Sequence, residues 1–454
     1  MTLLAIDWAS VGVQTLYFIM AFSILVVLHE MGHFLPAKWF KCRVEKFYLF
    51  FNPWFSLAKK KIGETEWGLG WVPFGGYVKI SGMVDESMDK EQMKLPPQPW
   101  EFRSKPAWQR LIIMLGGVTV NVILAIVIFI FIAWGYGEEY LPPQNAKYGF
   151  SIDSLGRSIG LQDGDIITKI DGQPVKDATK SVLQIITKEG KRISVLREGK
   201  EIDIQIPDGM IRSLNDSKGA NFAFLRFPGI IEDFGKESPA RDAGLQKEDQ
   251  LLAVDSIQTP YFTDFQKALA NSKGKKIALQ VNRNGQVITV PVQVNDEGKI
   301  GIAARTDIKK LGFQTERKEY SFAEAIPAGW NRCWSTLSMY TTGLKQLFTG
   351  KANPNESLGS VISIGKIFPK EWGEWEAFWT LTAIFSVVLA FMNVLPIPAL
   401  DGGHALFTIY EMITGRKPSD KFMEYAQTVG MVLLLGLMAY ALGLDFLRVF
   451  RDIF

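Results

Sequence analysis

The residues VGVQTLYFIMAFSILVVLHEMGH, at positions 11–33, place a long uncharged run directly before a group of titratable side chains. The run from Val11 to Leu28 is close to the ~20 residues that a helix needs to cross a bilayer. Three more apolar runs of this kind follow it: Leu111 to Gly137, Ala377 to Leu400 and Ala426 to Leu444. The sequence therefore predicts a polytopic α-helical membrane protein with about four transmembrane helices.

A secretory signal peptide is the alternative interpretation of the first run. However, the chain has no Lys or Arg before Lys38, carries Asp7 ahead of the run, and lacks a clear small-x-small cleavage site. We therefore expect the first run to be retained as a membrane helix.

The basic residues cluster between the predicted spans, although the net charge of the chain is only +3. By the positive-inside rule, the connection between the first two spans is cytoplasmic. It contains these basic residues: Lys38, Lys41, Arg43, Lys46, Lys59, Lys60, Lys61, Arg103, Lys105 and Arg110. The middle region is then extracytoplasmic, and the short loop with Arg416, Lys417 and Lys421 is again cytoplasmic. Arg448 and Arg451 go against this trend, and nothing in the charge indicates a nucleic-acid partner.

The middle region, from about Glu138 to Ala304, is polar and contains an internal repeat in which residues 160–162 recur as 244–246. Each copy continues with a hairpin signal between alternating strands: Arg197-Glu198-Gly199-Lys200 in the first and Arg283-Asn284-Gly285-Gln286 in the second. The stretch GLQDGDIITKIDGQPV resembles PDZ domains of the bacterial protease type, and AGLQKEDQLLAVDSIQT resembles a more diverged copy. Such domains bind extended peptides by adding a strand to a sheet edge, whereas a passive spacer role is the alternative.

The segment after the repeat, Tyr320 to Phe348, has helix-like apolar spacing with Trp330 and Trp334. This pattern is typical of an amphipathic helix at the membrane surface, and packing against the repeat domains is the alternative. We accordingly divide the chain into a first membrane half, two PDZ-like domains, an amphipathic connecting region and a second membrane half: residues 1–137, 138–224, 225–310, 311–376 and 377–454.

The motif His29-Glu30-Met31-Gly32-His33 follows the first apolar run. On a helix, a spacing of four residues places both imidazoles on one face, where they can bind one Zn²⁺. A carboxylate beside the metal can take a proton from the attacking water and later hand it to a leaving amine. Ordinary polar residues near a helix end are the alternative, but ionisable groups inside a membrane are costly and tend to be functional. The sequence therefore predicts a catalytic zinc site.

A catalytic zinc ion normally has three protein ligands, so a third must come from elsewhere in the chain. Asp401 and His404 are the candidates, because both follow the third apolar run and that span also runs inward in the predicted topology. Pro396 and Pro398 interrupt the helix just before them and free backbone groups that a substrate can satisfy.

The stretch Trp67 to Ile80 mixes β-forming residues with glycines. A protease acting on a membrane helix must hold its substrate in extended form, so we expect hairpins here whose edge pairs with substrate. A purely structural hairpin that covers the loop is the alternative.

Four motifs together resemble the site-2 protease family of intramembrane metalloproteases, and within it the bacterial RseP-like group. They are HEMGH at 29–33, FGGYVKISGM at 74–83, GGVTVN at 116–121 and NVLPIPALDGG at 393–403, with the two PDZ-like copies before the last. The resemblance implies that His29, His33 and Asp401 bind one zinc ion, that Glu30 is the general base, and that Asn393 helps to hold the substrate backbone. His404 would then be a neighbour of the site.

The resemblance further implies that Phe74 to Gly82 belongs to a membrane-reentrant β element and that the PDZ pair filters substrates by size after a first cleavage outside. The expected substrate-contacting residues beside Asn393 are Gly75, Gly76, Tyr77, Val78, Pro396 and Pro398. Two features depart from the family pattern. Val118 stands where the family often has Pro, and Tyr48 to Lys61 lacks the usual glycine-rich pattern.

These features predict a bacterial inner-membrane enzyme of regulated intramembrane proteolysis, with its active site towards the cytoplasm and its PDZ domains outside. Its partners would be the lipid bilayer and single-pass membrane proteins such as anti-sigma factors or remnant signal peptides. A scaffold that binds envelope proteins through its PDZ domains is less consistent, because a general base beside an open metal serves no structural purpose. A zinc transporter would need ligands at several depths in the membrane.

Overall fold

The structure is a computed structural model that describes the following residues: 8–83, 96–187, 189–207, 209–210, 222–235, 237–350 and 359–453. It divides into two compact units. The helical unit comprises Met1–Gly137, Glu319–Leu344 and Pro354–Phe454, and the β-rich unit comprises Glu138–Lys318 and Lys345–Asn353.

The described helices are α1 (Trp8–Trp39), α2 (Ala107–Tyr136), α3 (Ser154–Ser158), α4 (Ser181–Thr187), α5 (Pro239–Asp242), α6 (Phe262–Ala270), α7 (Phe322–Phe348), α8 (Val361–Gly365), α9 (Trp375–Val394), α10 (Asp401–Thr414) and α11 (Asp420–Ile453). Among the described residues, four helical stretches are long and apolar enough to cross a membrane: α1, α2, α9 and Lys421–Leu447 within α11. The prediction of about four membrane helices is therefore confirmed.

The third membrane helix is shorter than the apolar run that predicted it. The run extends to Leu400, but α9 ends at Val394. Pro396 and Pro398 explain the difference, because proline has no N–H to donate and also disfavours helical geometry in the residue before it. The six residues between α9 and α10 thus form an irregular connection.

The helices of the helical unit pack closely where small residues face each other. A Cβ atom added to Gly32 of α1 would collide with the backbone of Gly116 and Gly117 in α2. Further along, α2 packs on α9 through a buried cluster that includes Phe129 and Val387. Small residues favour such approach in membranes, where lipid tails are as apolar as the side chains and close packing drives association.

A four-stranded sheet lies in the connection between the first two membrane helices. Its strands are β1 (Val44–Phe51), β2 (Ala58–Ile62), β3 (Thr65–Leu69) and β4 (Val72–Ile80). Their spatial order is β2-β3-β1-β4, with β1 parallel to β3 and antiparallel to β4.

The expected hairpin over Trp67 to Ile80 is wrong, because β3 and β4 lie on opposite sides of β1. The chain crosses the end of β1 at Gly70, whose N–H donates to the Leu49 carbonyl at 2.8 Å. A side chain at Gly70 would collide with the carbonyls of Phe50 and Phe51. Gly70, which the local sequence pattern indicates as a turn residue, is therefore needed where the chain crosses from β3 to β4.

The strands of the β-rich unit are β5 (Glu138–Tyr140), β6 (Phe150–Ile152), β7 (Ile166–Ile170), β8 (Gln173–Pro174), β9 (Arg192–Arg197), β10 (Lys200–Gln205), β11 (Ala223–Leu225), β12 (Ile231–Phe234), β13 (Gln250–Val254), β14 (Ile257–Gln258), β15 (Lys276–Arg283), β16 (Gln286–Gln293), β17 (Ile302–Ala304) and β18 (Glu316–Lys318). Two sheets correspond to the two sequence copies, with orders β10-β9-β7-β8 and β14-β13-β15-β16. Each sheet has its own buried core, and Leu311 and Phe313 belong to the first one.

The residues that define the repeat make equivalent contacts in both copies. In the first, Arg197 Nε donates to Asp165 Oδ1 at 2.8 Å, and Arg197 also donates to the Gly160 carbonyl. In the second, Arg283 Nε donates to Asp249 Oδ1 at the same distance. Both aspartates are fully buried, so the ion pairs explain why the two copies share an acidic residue.

Candidate metal centre and cavity

Two histidines of α1 form one side of the candidate site. His29 and His33 are both buried, and they lie one helical turn apart with their ring centroids separated by 4.8 Å. Their Nε2 atoms are 3.3 Å apart. The i, i+4 spacing in the sequence thus places both imidazoles on one helix face, as expected. The motif lies within α1 rather than at its end, because the helix continues to Trp39.

Asp401 forms the other side and is the first residue of α10. Its Oδ2 atom lies 3.3 Å from His29 Nε2 and 3.4 Å from His33 Nε2. Side chains at Gly402 and Gly403 would collide with carbonyls of the connection after α9, so only glycines let α10 begin there. The Leu-Asp-Gly-Gly sequence therefore aims the Asp401 carboxylate at the histidines.

The three side chains fit a zinc ion. One potential ligand atom from each of His29, His33 and Asp401 lies within 4.8 Å of the other two, and His404 is not part of this group. Asp401 Oδ2 is buried and has no hydrogen-bond partner among the described residues, which leaves its lone pairs available to a cation. Two imidazole nitrogens and a carboxylate oxygen are a common donor set of catalytic zinc.

The second ring nitrogen of each histidine also has a neighbour. His33 Nδ1 lies 2.8 Å from the Ile113 carbonyl oxygen, which can only accept, so Nδ1 carries a proton and, in the neutral ring, Nε2 has the lone pair that a metal needs. His29 Nδ1 lies 3.1 Å from the Asn121 side-chain amide. Such contacts fix the tautomer and the orientation of metal-binding histidines.

Asn121 was not among the site residues expected from the sequence. It is fully buried in α2, and its Oδ1 atom has no hydrogen-bond partner among the described residues. With the opposite orientation of its amide, Oδ1 would accept a hydrogen bond from His29 Nδ1–H. The available signal was an amide side chain at the end of the GGVTVN motif, inside a predominantly apolar span.

A cavity of about 640 Å³ adjoins the three side chains. Its lining includes the expected substrate-contacting residues Gly75, Gly76, Tyr77, Val78 and Asn393, together with Glu30, His404 and Gln427. Pro396 and Pro398 are not part of that lining, and they lie in the connection between α9 and α10.

Glu30 and β4 approach each other at one wall of this cavity. A Cβ atom added to Gly76 would lie 2.7 Å from Val26 Cγ1 and 3.7 Å from Glu30 Cγ. The glycines of β4 thus let the strand pass directly over the α1 face that carries Glu30. In the order of the described strands, β4 is an outer strand of its sheet.

Two further residues order the cavity wall. The Tyr77 hydroxyl donates to Asn52 Oδ1 at 3.0 Å, and its ring stacks on Tyr48. Burial raises the pKa of Tyr77 to about 12, so the hydroxyl stays protonated as a donor. The Asn393 side-chain amide nitrogen lies 3.4 Å from His29 Nε2, which places it beside the candidate ligands.

Comparison with known proteins matches residues 17–437 to a family described as Peptidase family M50. A protein of Clostridium perfringens that carries the name zinc metalloprotease is 27% identical over 427 residues, covering 93% of this chain and 95% of that protein. The regulator of sigma-E protease RseP of Escherichia coli K12 is 27% identical over 452 residues, covering 95% and 98%. The regulator of sigma E protease of Haemophilus influenzae is also 27% identical, with coverage of 95% and 98%.

Proposed function

Since this chain belongs to peptidase family M50 and is a metalloprotease with membrane-spanning helices, we propose that it cleaves single-pass membrane proteins within or at the edge of the bilayer. The observation that carries the proposal is the convergence of His29, His33 and Asp401 beside Glu30 and an outer β-strand. One zinc ion between these three side chains is supported by their donor atoms and by relatives that carry the name zinc metalloprotease.

Each residue of the site has a role in the proposed hydrolysis. His29, His33 and Asp401 would hold the zinc ion, which when bound would supply Lewis acidity that favours loss of a proton from water near neutral pH. Glu30 accepts the proton of the attacking water and delivers it to the amine of the leaving peptide. Asn393 orients the substrate main chain.

The substrate must be extended at the cleaved bond, because a helical peptide group is already bonded within its own helix. The outer strand β4 offers backbone groups that can pair with an extended segment. Gly75 and Gly76 line the cavity, and a side chain at either position would collide with Phe51 or Val26. Only glycines therefore fit this part of β4. Tyr77 and Val78 would then contact substrate side chains.

We further propose that the sheet of β1 to β4 enters the membrane interface. Its exposed tip carries Trp54, Phe55 and Trp71, and the first two rings each stack on that of Trp71. Aromatic rings of this kind favour the boundary between lipid and water. A tip held in lipid would keep β4 at the depth where a substrate helix unwinds.

The β-rich unit is proposed to contain two PDZ domains outside the membrane, and its two sheets with equivalent ion pairs support a duplicated domain. As a size filter, this pair would admit only substrates whose outer segment has been shortened. The full-length enzyme should therefore cleave a tagged single-pass protein with a short outer segment and spare one that keeps a folded outer domain. Equal cleavage of both would contradict the filter.

The proposed proteolysis is tested by comparing wild type with Glu30→Gln on a library of tagged single-pass proteins, including anti-sigma factors and signal peptides. We expect cleavage in wild type and its loss in the variant, while zinc content is unchanged because Glu30 is not a ligand. Full cleavage by Glu30→Gln would refute the role of Glu30. The same comparison separates protease from scaffold, since a scaffold needs no general base.

A further inference from the structure

Gln427 is a polar residue of the last membrane helix that the proposed reaction does not yet use. It lies in α11, lines the cavity with Asn393 and Asp401, and is only 5% exposed. Its Oε1 atom is buried and has no hydrogen-bond partner among the described residues. An unpaired amide oxygen in such a place costs free energy that an apolar side chain would avoid.

The face of α11 that carries Gln427 is directed at the segment that leads to Asp401. Gly430, one turn later on the same face, packs directly against the carbonyl of Pro398. Along the membrane-spanning part of α11, the buried positions are Gln427, Gly430 and Asp445. Neighbouring apolar residues such as Val429 are exposed, as suits contact with lipid. Backbone contact at Gly430 therefore fixes which face of α11, the face that includes Gln427, is turned towards this segment.

An extended substrate would bring a partner for this oxygen. Every residue of a peptide except proline has a main-chain N–H that needs an acceptor when it leaves water. A strand that pairs with β4 satisfies only the groups on one edge, because successive backbone groups point to alternate sides. The N–H groups on the other edge need acceptors from elsewhere in the cavity wall.

We propose that Gln427 Oε1 accepts a hydrogen bond from a main-chain N–H on the substrate edge that faces away from β4. This assignment rests on the proposed function and adds a substrate-binding residue from the last membrane helix. It gives that helix a part in recognising main chain rather than a particular side chain. Recognition of this kind suits an enzyme that accepts several membrane segments.

The test uses a fluorescein-labelled synthetic peptide of about 20 apolar residues with a central Gly-Gly pair. Its affinity is measured by fluorescence anisotropy for the full-length, zinc-loaded enzyme in nanodiscs. Glu30→Gln serves as the background that prevents cleavage, and Gln427→Met removes the acceptor at nearly constant size. Thr428→Val is the matched control, since Thr428 is an exposed polar residue of the same helix.

We expect Gln427→Met to weaken peptide binding about tenfold, the effect of one lost hydrogen bond, and Thr428→Val to leave it unchanged. The thermal unfolding midpoint of Gln427→Met should not fall, because the folded chain loses an unpaired buried group. Equal affinity with and without Gln427, at equal zinc content, would overturn the inference and leave the proposed function standing. Absence of zinc from active wild type would overturn both.

Discussion

The contact between Asn121 and His29 predicts how tightly the site holds zinc. The side-chain amide of Asn121 lies 3.1 Å from His29 Nδ1, and Asn121 is fully buried. Replacing it by Val leaves the ring nitrogen without a polar neighbour from α2. Loss of such a partner typically weakens metal affinity 10- to 100-fold, so we expect a loss of about 1.4 to 2.7 kcal/mol in zinc binding.

The assay is competition for zinc between the purified enzyme and a chelator of known affinity near neutral pH. Asn121→Asp should bind zinc at least as tightly as wild type, because a carboxylate is an acceptor in either orientation. Thr119→Val is the control for α2, since Thr119 is exposed and its hydroxyl donates to the Leu115 carbonyl. If Asn121→Val kept wild-type affinity, or if Asn121→Asp lost as much as Val, the assigned role of Asn121 would be incorrect.

Three further predictions concern the same ligands and the repeat. Asp401→Ala should abolish stoichiometric zinc binding whereas His404→Ala should retain it, measured as zinc per chain after dialysis; the reverse pattern would reject Asp401 as the ligand. Gly117→Ala should lower zinc affinity, because its new Cβ would lie 2.5 Å from an imidazole nitrogen, whereas Gly135→Ala on the same helix meets nothing within 4 Å and should not. Asp249→Ala should destabilise the second β-rich core by about 2 kcal/mol in denaturant unfolding, since it removes the carboxylate partner of Arg283 and leaves its guanidinium with the Gly244 carbonyl; a change under about 0.5 kcal/mol would contradict this.

The membrane helices could be predicted from the sequence because their signal is local. A run of about 20 apolar residues can satisfy its backbone hydrogen bonds in lipid within the run itself only as a helix. The end of α9 was also encoded locally by Pro396 and Pro398, although hydropathy alone extended the run to Leu400. The position of the His29 and His33 imidazoles on one helix face followed from helix geometry alone.

The third ligand could not be chosen from the residues alone. Asp401 and His404 follow the same span and are three residues apart, so topology treats them alike. The choice depends on where α10 begins, and that is set by contacts of Gly402 and Gly403 with the preceding connection. The family resemblance named Asp401, whose Oδ2 atom lies 3.3 and 3.4 Å from the two histidine Nε2 atoms, and its role as the third ligand stays a proposal.

The order of strands β1 to β4 could not be predicted from local sequence patterns either. The sequence around Gly70 and Trp71 has the composition of a turn, and adjacent strands joined by a turn usually pair. Here the strand between them is β1, which precedes both β2 and β3 in the chain. Pairing between distant strands depends on tertiary packing, and a single sequence does not reveal it.

The geometry of the candidate site depends on backbone contacts at glycines in three elements. Gly32 lets α1 approach α2, which brings Asn121 to His29. Gly403 lets α10 begin against the preceding connection, which brings Asp401 to the histidines. Gly430 lets α11 pack on Pro398, on the face where Gln427 lines the cavity. Lipid provides no hydrophobic force that would hold helices at a fixed spacing, so direct backbone contact is one means of fixing distances. Because a zinc site tolerates only small errors in ligand position, substitutions at these glycines should impair metal binding more than substitutions of the larger apolar residues that face lipid.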